Sequence, residues 1–189
     1  MMELRVRNVS RKSRRVKEIY LASFPKKERM PFWSMRLMAK MTATRFWEFS
    51  DGDTVCGFAY LGMAEGISFL MFLAVDPSLR SRGYGGRILE EIRRRCSPDK
   101  ILVSIERCAE GADNLSQRRR RREFYLRNGY EPTGFCIELS GVEQEILIRG
   151  GVFDPDEFAA FFKAYSNGTM HPRIWREEAD QQSNREAFP

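Results

Sequence analysis

Between Val75 and Ile88 the chain gathers Arg80, Arg82 and Arg87 with Gly83, Gly85 and Gly86. Phe69 to Val75, just ahead, is an apolar run with no charge and no Gly, the pattern of a fully buried strand. Asp76-Pro77 stops it. Behind the glycines, Ile88, Leu89, Ile92 and Cys96 recur at helical spacing as far as Ser97-Pro98. The chemistry of such a strand, loop and helix is anion binding. The first turn of a helix leaves its N–H groups without intrahelical partners. The macrodipole makes that end partly positive. Gly lets the backbone approach a ligand closely. A phosphate or pyrophosphate fits there, and Arg80, Arg82 and Arg87 can add charge-assisted hydrogen bonds.

Two well-known phosphate loops do not match. A dinucleotide fingerprint needs a small residue where this run has Ile88, and a P-loop needs a Gly-Lys-Ser/Thr that is not here. The run does match Arg-x-x-Gly-x-Gly, as Arg80-Ser81-Arg82-Gly83-Tyr84-Gly85. This resembles the acyl-CoA-binding signature of the GNAT superfamily of N-acetyltransferases. Phe124-Tyr125-Leu126-Arg127-Asn128-Gly129-Tyr130 resembles that superfamily's later motif, a helix ending in Gly before an aromatic that opens a strand. Gly129 is a C-cap residue on local chemistry alone. The similarity spans about residues 3 to 150.

The resemblance implies acetyl-CoA as co-substrate and direct transfer, in a ternary complex, to the amine of a small molecule or peptide. It implies that Arg80, Ser81, Arg82, Gly83, Tyr84, Gly85 and Gly86 hold the pyrophosphate. The cofactor arm would lie along Leu73, Ala74 and Val75, with the Val75 N–H facing the thioester oxygen in an oxyanion-hole role. Tyr125 would be the general acid: a phenol of pKa about 10 can protonate a thiolate of pKa about 8 to 9. The family pattern puts Phe124 inside and Tyr125 toward the cofactor. Asn114, Arg118, Arg121 and Tyr125 are spaced to form one helical stripe. The Asn that the family often carries seven residues before this Tyr is Arg118 here, so Asn114, Arg118 and Arg121 are candidates for the cofactor arm or phosphates. For the general base, Glu106 is the candidate, Glu65 its rival, and a water chain a third option. Cys108 leaves a covalent route open.

These residues need a scaffold. Alternation and turn signals predict strands at Leu4–Val9, Thr44–Ser50, Val55–Leu61, Phe69–Val75, Ile101–Glu106, Thr133–Leu139 and Gln144–Arg149. Helices are expected from Ser10 or Ser13 to Phe24, near Ser34–Lys40, from the glycine loop to Cys96, and over Ser116–Asn128. By family analogy, the segment from Phe24 to Lys40 walls the acceptor pocket. The expected fold is α/β (α+β): a GNAT-like, mixed, mostly antiparallel central sheet flanked by helices and splayed at its middle two strands. Residues 1–150 would be the acetyltransferase domain, and 151–189 a C-terminal helix and flexible tail. Asp154-Pro155-Asp156-Glu157 is a strong helix start. Phe158, Phe161, Phe162 and Tyr165 then form a stripe suited to a core, or to a homodimer contact.

The totals narrow the classes. The chain has 189 residues, 42% hydrophobic and 31% charged, which is globular and long enough for its own core. Net charge is +6, and five of those charges are the run Arg118–Arg122. The basicity is therefore local and disfavours a general nucleic-acid surface. An RNA-binding module built on that run is a rival, but no interleaved aromatics accompany it. An acyl-CoA sensor without turnover is another rival, against which Tyr125 stands. Cys56, Cys96, Cys108 and Cys136 have no metal or redox spacing, and the one His is His171, so no metal site is expected. The absence of a long apolar stretch and of a leader-like N-terminus predicts a cytoplasmic protein with no membrane partner. No acidic cluster marks a polyamine or aminoglycoside pocket.

Overall fold

The computed structural model describes residues 3–26, 29–109, 111–112 and 114–177. The polar tail from Gln181, and Glu110 and Asp113 of the loop before the fourth helix, lie outside the described residues. The elements run β1 (Arg5–Asn8), α1 (Arg14–Ser23), α2 (Phe32–Met41), β2 (Thr44–Asp51), β3 (Thr54–Ala64), β4 (Ile67–Val75), α3 (Tyr84–Cys96), β5 (Lys100–Glu106), α4 (Leu115–Arg127), β6 (Glu131–Leu139), β7 (Val142–Arg149), α5 (Pro155–Tyr165) and β8 (Ile174–Arg176). A 3-10 turn, Pro77–Leu79, joins β4 to the glycine loop. The strands form one sheet in the order β1-β2-β3-β4-β5-β7-β6-β8. Every neighbouring pair is antiparallel except β4 with β5.

Turn chemistry sets much of the register. Gly52 takes φ +58° in the β2–β3 hairpin. Ser140 and Gly141, at +52° and +75°, join β6 to β7 in the two-residue turn that suits right-twisted strands. Asp154 caps α5 by accepting from the Asp156 and Glu157 N–H groups at 2.8 and 3.2 Å.

The sheet is covered on both faces. On one, Ile88, Leu89, Ile92 and Cys96 of α3 pack with Tyr125 of α4 against Phe49, Ala59, Leu61, Leu70, Val103 and Leu147. On the other, α1 and α2 bury Val16, Ile19, Tyr20 and Met35 against Phe46, Phe58 and Tyr60. Beside them, Phe158, Phe161 and Phe162 of α5 pack on Phe69, Leu102 and Ile146. The aromatic stripe is thus core, and β8 pairs with β6 as the outer strand. No sequence signal had pointed to β8, which is only three residues long.

Two features of the sheet make room for a site. β4 and β5 pair only over Ile67–Leu70 and Lys100–Val103, although β4 runs to Val75 and β5 to Glu106. Beyond that point they splay. A bulge in β4 opposes Tyr60 to Phe72 but Leu61 to Leu70, leaving Met71 extra. The bulge switches the pleat. Leu70 therefore shares a face with Leu73 and Val75, while Phe72 and Ala74 face α1 and α2. The expectation of a fully buried strand is corrected here: Met71, Phe72, Leu73 and Val75 are partly exposed. Three of those four, Met71, Leu73 and Val75, border the open space of the splay.

Candidate active site

A cavity of about 770 Å³ occupies the splay. Its floor is Met71, Leu73, Ala74 and Val75 of β4 with Val103, Ser104 and Ile105 of β5. The glycine loop and α4 close the rest. Arg80, Arg120, Arg121 and Arg127 are among its lining residues.

The loop is locked from below. Asp76 is buried, and its carboxylate takes a forked contact from Arg15, Nε at 2.8 Å and Nη2 at 2.6 Å. It also accepts from the Ser78 N–H at 3.0 Å and hydroxyl at 2.8 Å. Burial pushes the Asp76 carboxyl up, but the Ser78 and Arg15 bonds outweigh it and hold it below the usual carboxylate range. Ser81 at φ +63° and Gly83 at φ +81° then reverse the chain into α3. The first intrahelical bond of α3 is Arg87 N–H to the Gly83 carbonyl, at 3.2 Å. The N–H groups of Tyr84, Gly85 and Gly86 precede it and have no helical acceptor. Gly83, Tyr84, Gly85 and Gly86 all line the cavity.

Gly85 and Gly86 also have a packing task. A Cβ on Gly85 would meet the Phe124 ring at 2.8 Å, and one on Gly86 the Asn128 amide oxygen at 2.8 Å. They let the end of α4 approach the start of α3. Arg87 is not a phosphate ligand in this geometry: its Nη1 donates to Asp51 at 2.8 Å, and its guanidinium lies 5.1 Å from the Tyr84 ring centre. The Tyr84 hydroxyl donates to the same Asp51 at 3.2 Å. Arg82 is exposed and lies outside the cavity lining.

Backbone direction along β4 follows from one bond. The Asp76 N–H donates to Cys56 of β3 at 2.8 Å. Successive N–H groups of a strand point to opposite edges, so the Val75 N–H points away from β3, into the splay.

Tyr125 lines the cavity from α4 and is 6% exposed. Among the described residues no group hydrogen-bonds its hydroxyl. Burial pushes that hydroxyl up to about 12, opposed by the neighbouring Arg121 guanidinium. The division of labour between the two adjacent aromatics differs from the family pattern. Tyr125 is the buried one, and Phe124 is half-buried against Gly85.

The stripe on α4 is also rotated from the expected one. Gln117, Arg120, Arg121, Phe124, Tyr125 and Asn128 face the cavity. Asn114 and Arg118 do not line it. Arg118 donates to Asn114 at 2.7 Å, to the Arg107 carbonyl at 2.8 Å and to Glu106 at 3.0 Å. Arg121 reaches the other Glu106 oxygen at 3.4 Å. Glu106 is therefore held between two guanidinium groups and is not part of the cavity lining. Glu65 sits in the β3–β4 turn, at the far end of β4. Cys108 is also outside the lining, and burial pushes its thiol up, away from the reactive thiolate. The arginine run is divided by its helical positions. Arg118 and Arg121 pair with Glu106, and Arg122 pairs with Glu145 at 3.0 Å.

The fold and this geometry can be set beside known proteins. Residues 42–132 match the family model described as an acetyltransferase (GNAT) domain. Over this stretch the chain is similar to GNAT acetyltransferase domains. It contains the cavity floor on both strands, the glycine loop and Tyr125. No protein of curated function matches the sequence. Solved GNAT structures share the fold. A protein from Bacteroides thetaiotaomicron, described as a GNAT-family acetyltransferase, superposes with a TM-score of 0.67 at 20% identity, over 84% of this chain and 94% of that one. The PaiA N-acetyltransferase of Thermoplasma acidophilum, solved with coenzyme A, gives 0.57 at 14% identity, over 79% and 100%. A GNAT acetyltransferase of Elizabethkingia anophelis, solved with acetyl-CoA, gives 0.55 at 13%, over 80% and 100%. At such identities the likeness is one of fold. Sequence reasoning missed Gln117, Arg120, Arg127 and Asn128 as neighbours of this cavity. Helical spacing from Tyr125 could have found Gln117 and Asn128, once the helix face was known. Among the described residues, no helix is long and apolar enough to cross a membrane.

Proposed function

We propose that the chain is an acetyl-CoA-dependent N-acetyltransferase that moves the acetyl group to an amine by direct transfer in a ternary complex. The observation that carries this reading is the cavity itself. It joins a helix start with free N–H groups to a splayed strand pair and a buried tyrosine.

The fit to the cofactor rests on these groups. The N–H groups of Tyr84, Gly85 and Gly86 would bind the pyrophosphate, helped by the helix dipole and by Arg80, Ser81 and Arg127 of the lining. The pantetheine arm would run along Leu73, Ala74 and Val75, whose outward edge has no strand partner. The bound thioester supplies an activated acetyl carbon. The Val75 N–H would then stabilise charge on the carbonyl oxygen, a contribution of about 3 kcal/mol for a preorganised donor. Tyr125 holds its proton at neutral pH and would deliver it to the departing sulfur. Arg121 would ease the transient phenolate that this leaves.

The base role considered for Glu106 has no support in the geometry, because both its oxygens are taken by arginines. Water in the cavity is the acceptor of the amine proton in this reading. The arginine run as an RNA surface is likewise unsupported, since Arg118, Arg121 and Arg122 are paired with acids of the same chain.

Calorimetric titration with acetyl-CoA tests the reading. Micromolar binding that is lost in Gly85→Asp supports it, whereas absence of binding to the intact chain ends it. For turnover, Tyr125→Phe should keep acetyl-CoA affinity and lower kcat by about 10²- to 10⁴-fold. Unchanged kcat would remove Tyr125 from the mechanism.

A further inference from the structure

The outer face of α2 is apolar and uncovered among the described residues. The helix turns Phe32, Met35 and Ala39 to the sheet: Met35 is fully buried, and the Phe32 ring lies 5.5 Å from Phe46, centre to centre. Trp33, Leu37 and Met41 recur at every fourth residue on the opposite side. They are 67%, 47% and 73% exposed. Large apolar side chains exposed in one stripe mark an interaction surface. Cations flank the stripe. Lys40 is exposed and Arg36 half-buried, α2 holds no acid, and among the described residues neither cation forms an ion pair. On α1, packed on the same side of the sheet, Arg14, Lys17 and Leu21 are exposed, and the one acid, Glu18, is held by Arg15 at 2.8 Å. The wider sequence follows the same trend. Residues 1–45 carry thirteen Lys and Arg against three Glu, whereas the rest of the chain holds more acid than base. This basic region is separate from the run Arg118–Arg122.

We propose that the outer face of α1 and α2 docks the protein on an anionic lipid surface, with Trp33, Leu37 and Met41 entering the interface and the flanking Lys and Arg meeting headgroup phosphates. A helix with an apolar stripe and basic flanks lies in the plane of such an interface. Trp suits the headgroup level, where its ring has one apolar side and one wet one. Lys and Arg lay their stems along the apolar boundary while the charges stay at the phosphates. Two other occupants fit worse. A second copy meeting this face across a two-fold axis would set Arg36 and Lys40 among their own counterparts, with no acid on α2 to answer them. A nucleic-acid strand would use rings for stacking, and Trp33 is the one ring of the stripe. The ten residues of α2 are too few to span a bilayer, which takes about 20, but a helix lying on the surface needs no such length. The expectation of no membrane partner rested on the lack of a long apolar stretch, and so concerned spanning alone. Docking by this face does not depend on acetyl transfer.

Sedimentation of the full chain with lipid vesicles is the test. Phosphatidylcholine vesicles are compared with vesicles that also contain phosphatidylglycerol, at low and high salt. We expect the anionic vesicles to bind at least about tenfold more tightly than the neutral ones, and the binding to weaken as salt rises. Trp33→Ala/Leu37→Ala/Met41→Ala should lower affinity for the anionic vesicles by about tenfold or more, because apolar burial contributes to interfacial binding. Arg36→Gln/Lys40→Gln should lower it about fivefold for each charge removed. The melting temperature should hold in both variants, since no fully buried side chain is altered. Should the apolar variant melt lower, Met41→Gln, at the last residue of α2, takes its place. Absence of binding to anionic vesicles, or equal binding to neutral ones, overturns the proposal. So does an apolar variant that folds and binds as the wild type does, since charge alone would then account for the binding. So does a concentration-dependent dimer, seen by light scattering, that the apolar variant dissolves, because the stripe then belongs to a second copy. So does tighter binding of mixed-sequence RNA than of anionic vesicles.

Discussion

At the scale of residues, Tyr125 carries the general-acid role in the proposed reaction. Its hydroxyl is pushed up to about 12 by burial. A group whose folded-state value lies above its unfolded value contributes stability that is complete below the unfolded value and is lost as pH rises through the folded one. For Tyr125 that window runs from about pH 10 to about pH 12, and the loss is roughly 3 kcal/mol at about 1.4 kcal/mol for each unit. Tyr125→Phe should flatten the fall in stability across that window, measured by denaturant unfolding at fixed pH. An unaltered pH dependence would mean that the hydroxyl ionises freely in the folded chain. Asp76 is the second residue of consequence. Its carboxylate ties the loop to α1 through Arg15 and caps the turn through Ser78. Asp76→Ala should cost about 2 kcal/mol, the sum of a lost cap and a lost charged bond. Acetyl-CoA affinity should fall with it, because the loop geometry depends on the same carboxylate. Stability lost without any change in affinity would separate the cap from the cofactor site.

At the scale of elements, the site depends on how closely α4 meets the start of α3. Gly85 and Gly86 set that distance, because a side chain at either would strike Phe124 or Asn128. Gly85→Ala should destabilise the fold by about 1 to 3 kcal/mol, the usual cost of overpacking. It should also shift Tyr125 relative to the cavity floor and lower kcat. Thermal unfolding and steady-state kinetics check both, and an unaffected melting temperature would show that α4 gives way freely. The glycine signature therefore carries two messages in one spelling. The reading of anion binding was legible from the loop. The packing was not, since the partner residues are about forty positions later in the chain. The rotated α4 stripe has a similar cause. Asn114, Arg118, Arg121 and Tyr125 do share a helical face by spacing. Which face turns to the cavity is decided by Glu106 and Glu145 on the neighbouring strands, which draw Arg118 and Arg122 toward themselves.

At the scale of the whole molecule, the segment after residue 150 is built into the sheet. Phe158, Phe161 and Phe162 are buried against β4, β5 and β7, and β8 pairs with β6. A chain cut after residue 150 should lose cooperative unfolding, because burial of each such Phe is worth about 1.5 to 3 kcal/mol against a total stability of about 5 to 15 kcal/mol. A sharp thermal transition in the truncated protein would show that residues 1–150 fold alone. The sequence by itself determined the order and type of most elements, the glycine loop ahead of α3, the aromatic helix α5 and the resemblance to GNAT acetyltransferases. These depend on local periodicity, caps and turns, which a single stretch of chain encodes. Only the tertiary structure decided the bulge at Met71, the rotation of α4, and the capture of Glu106 and Arg87. Each of these follows from which distant side chain stands nearest once the sheet has closed, and no local pattern carries that information.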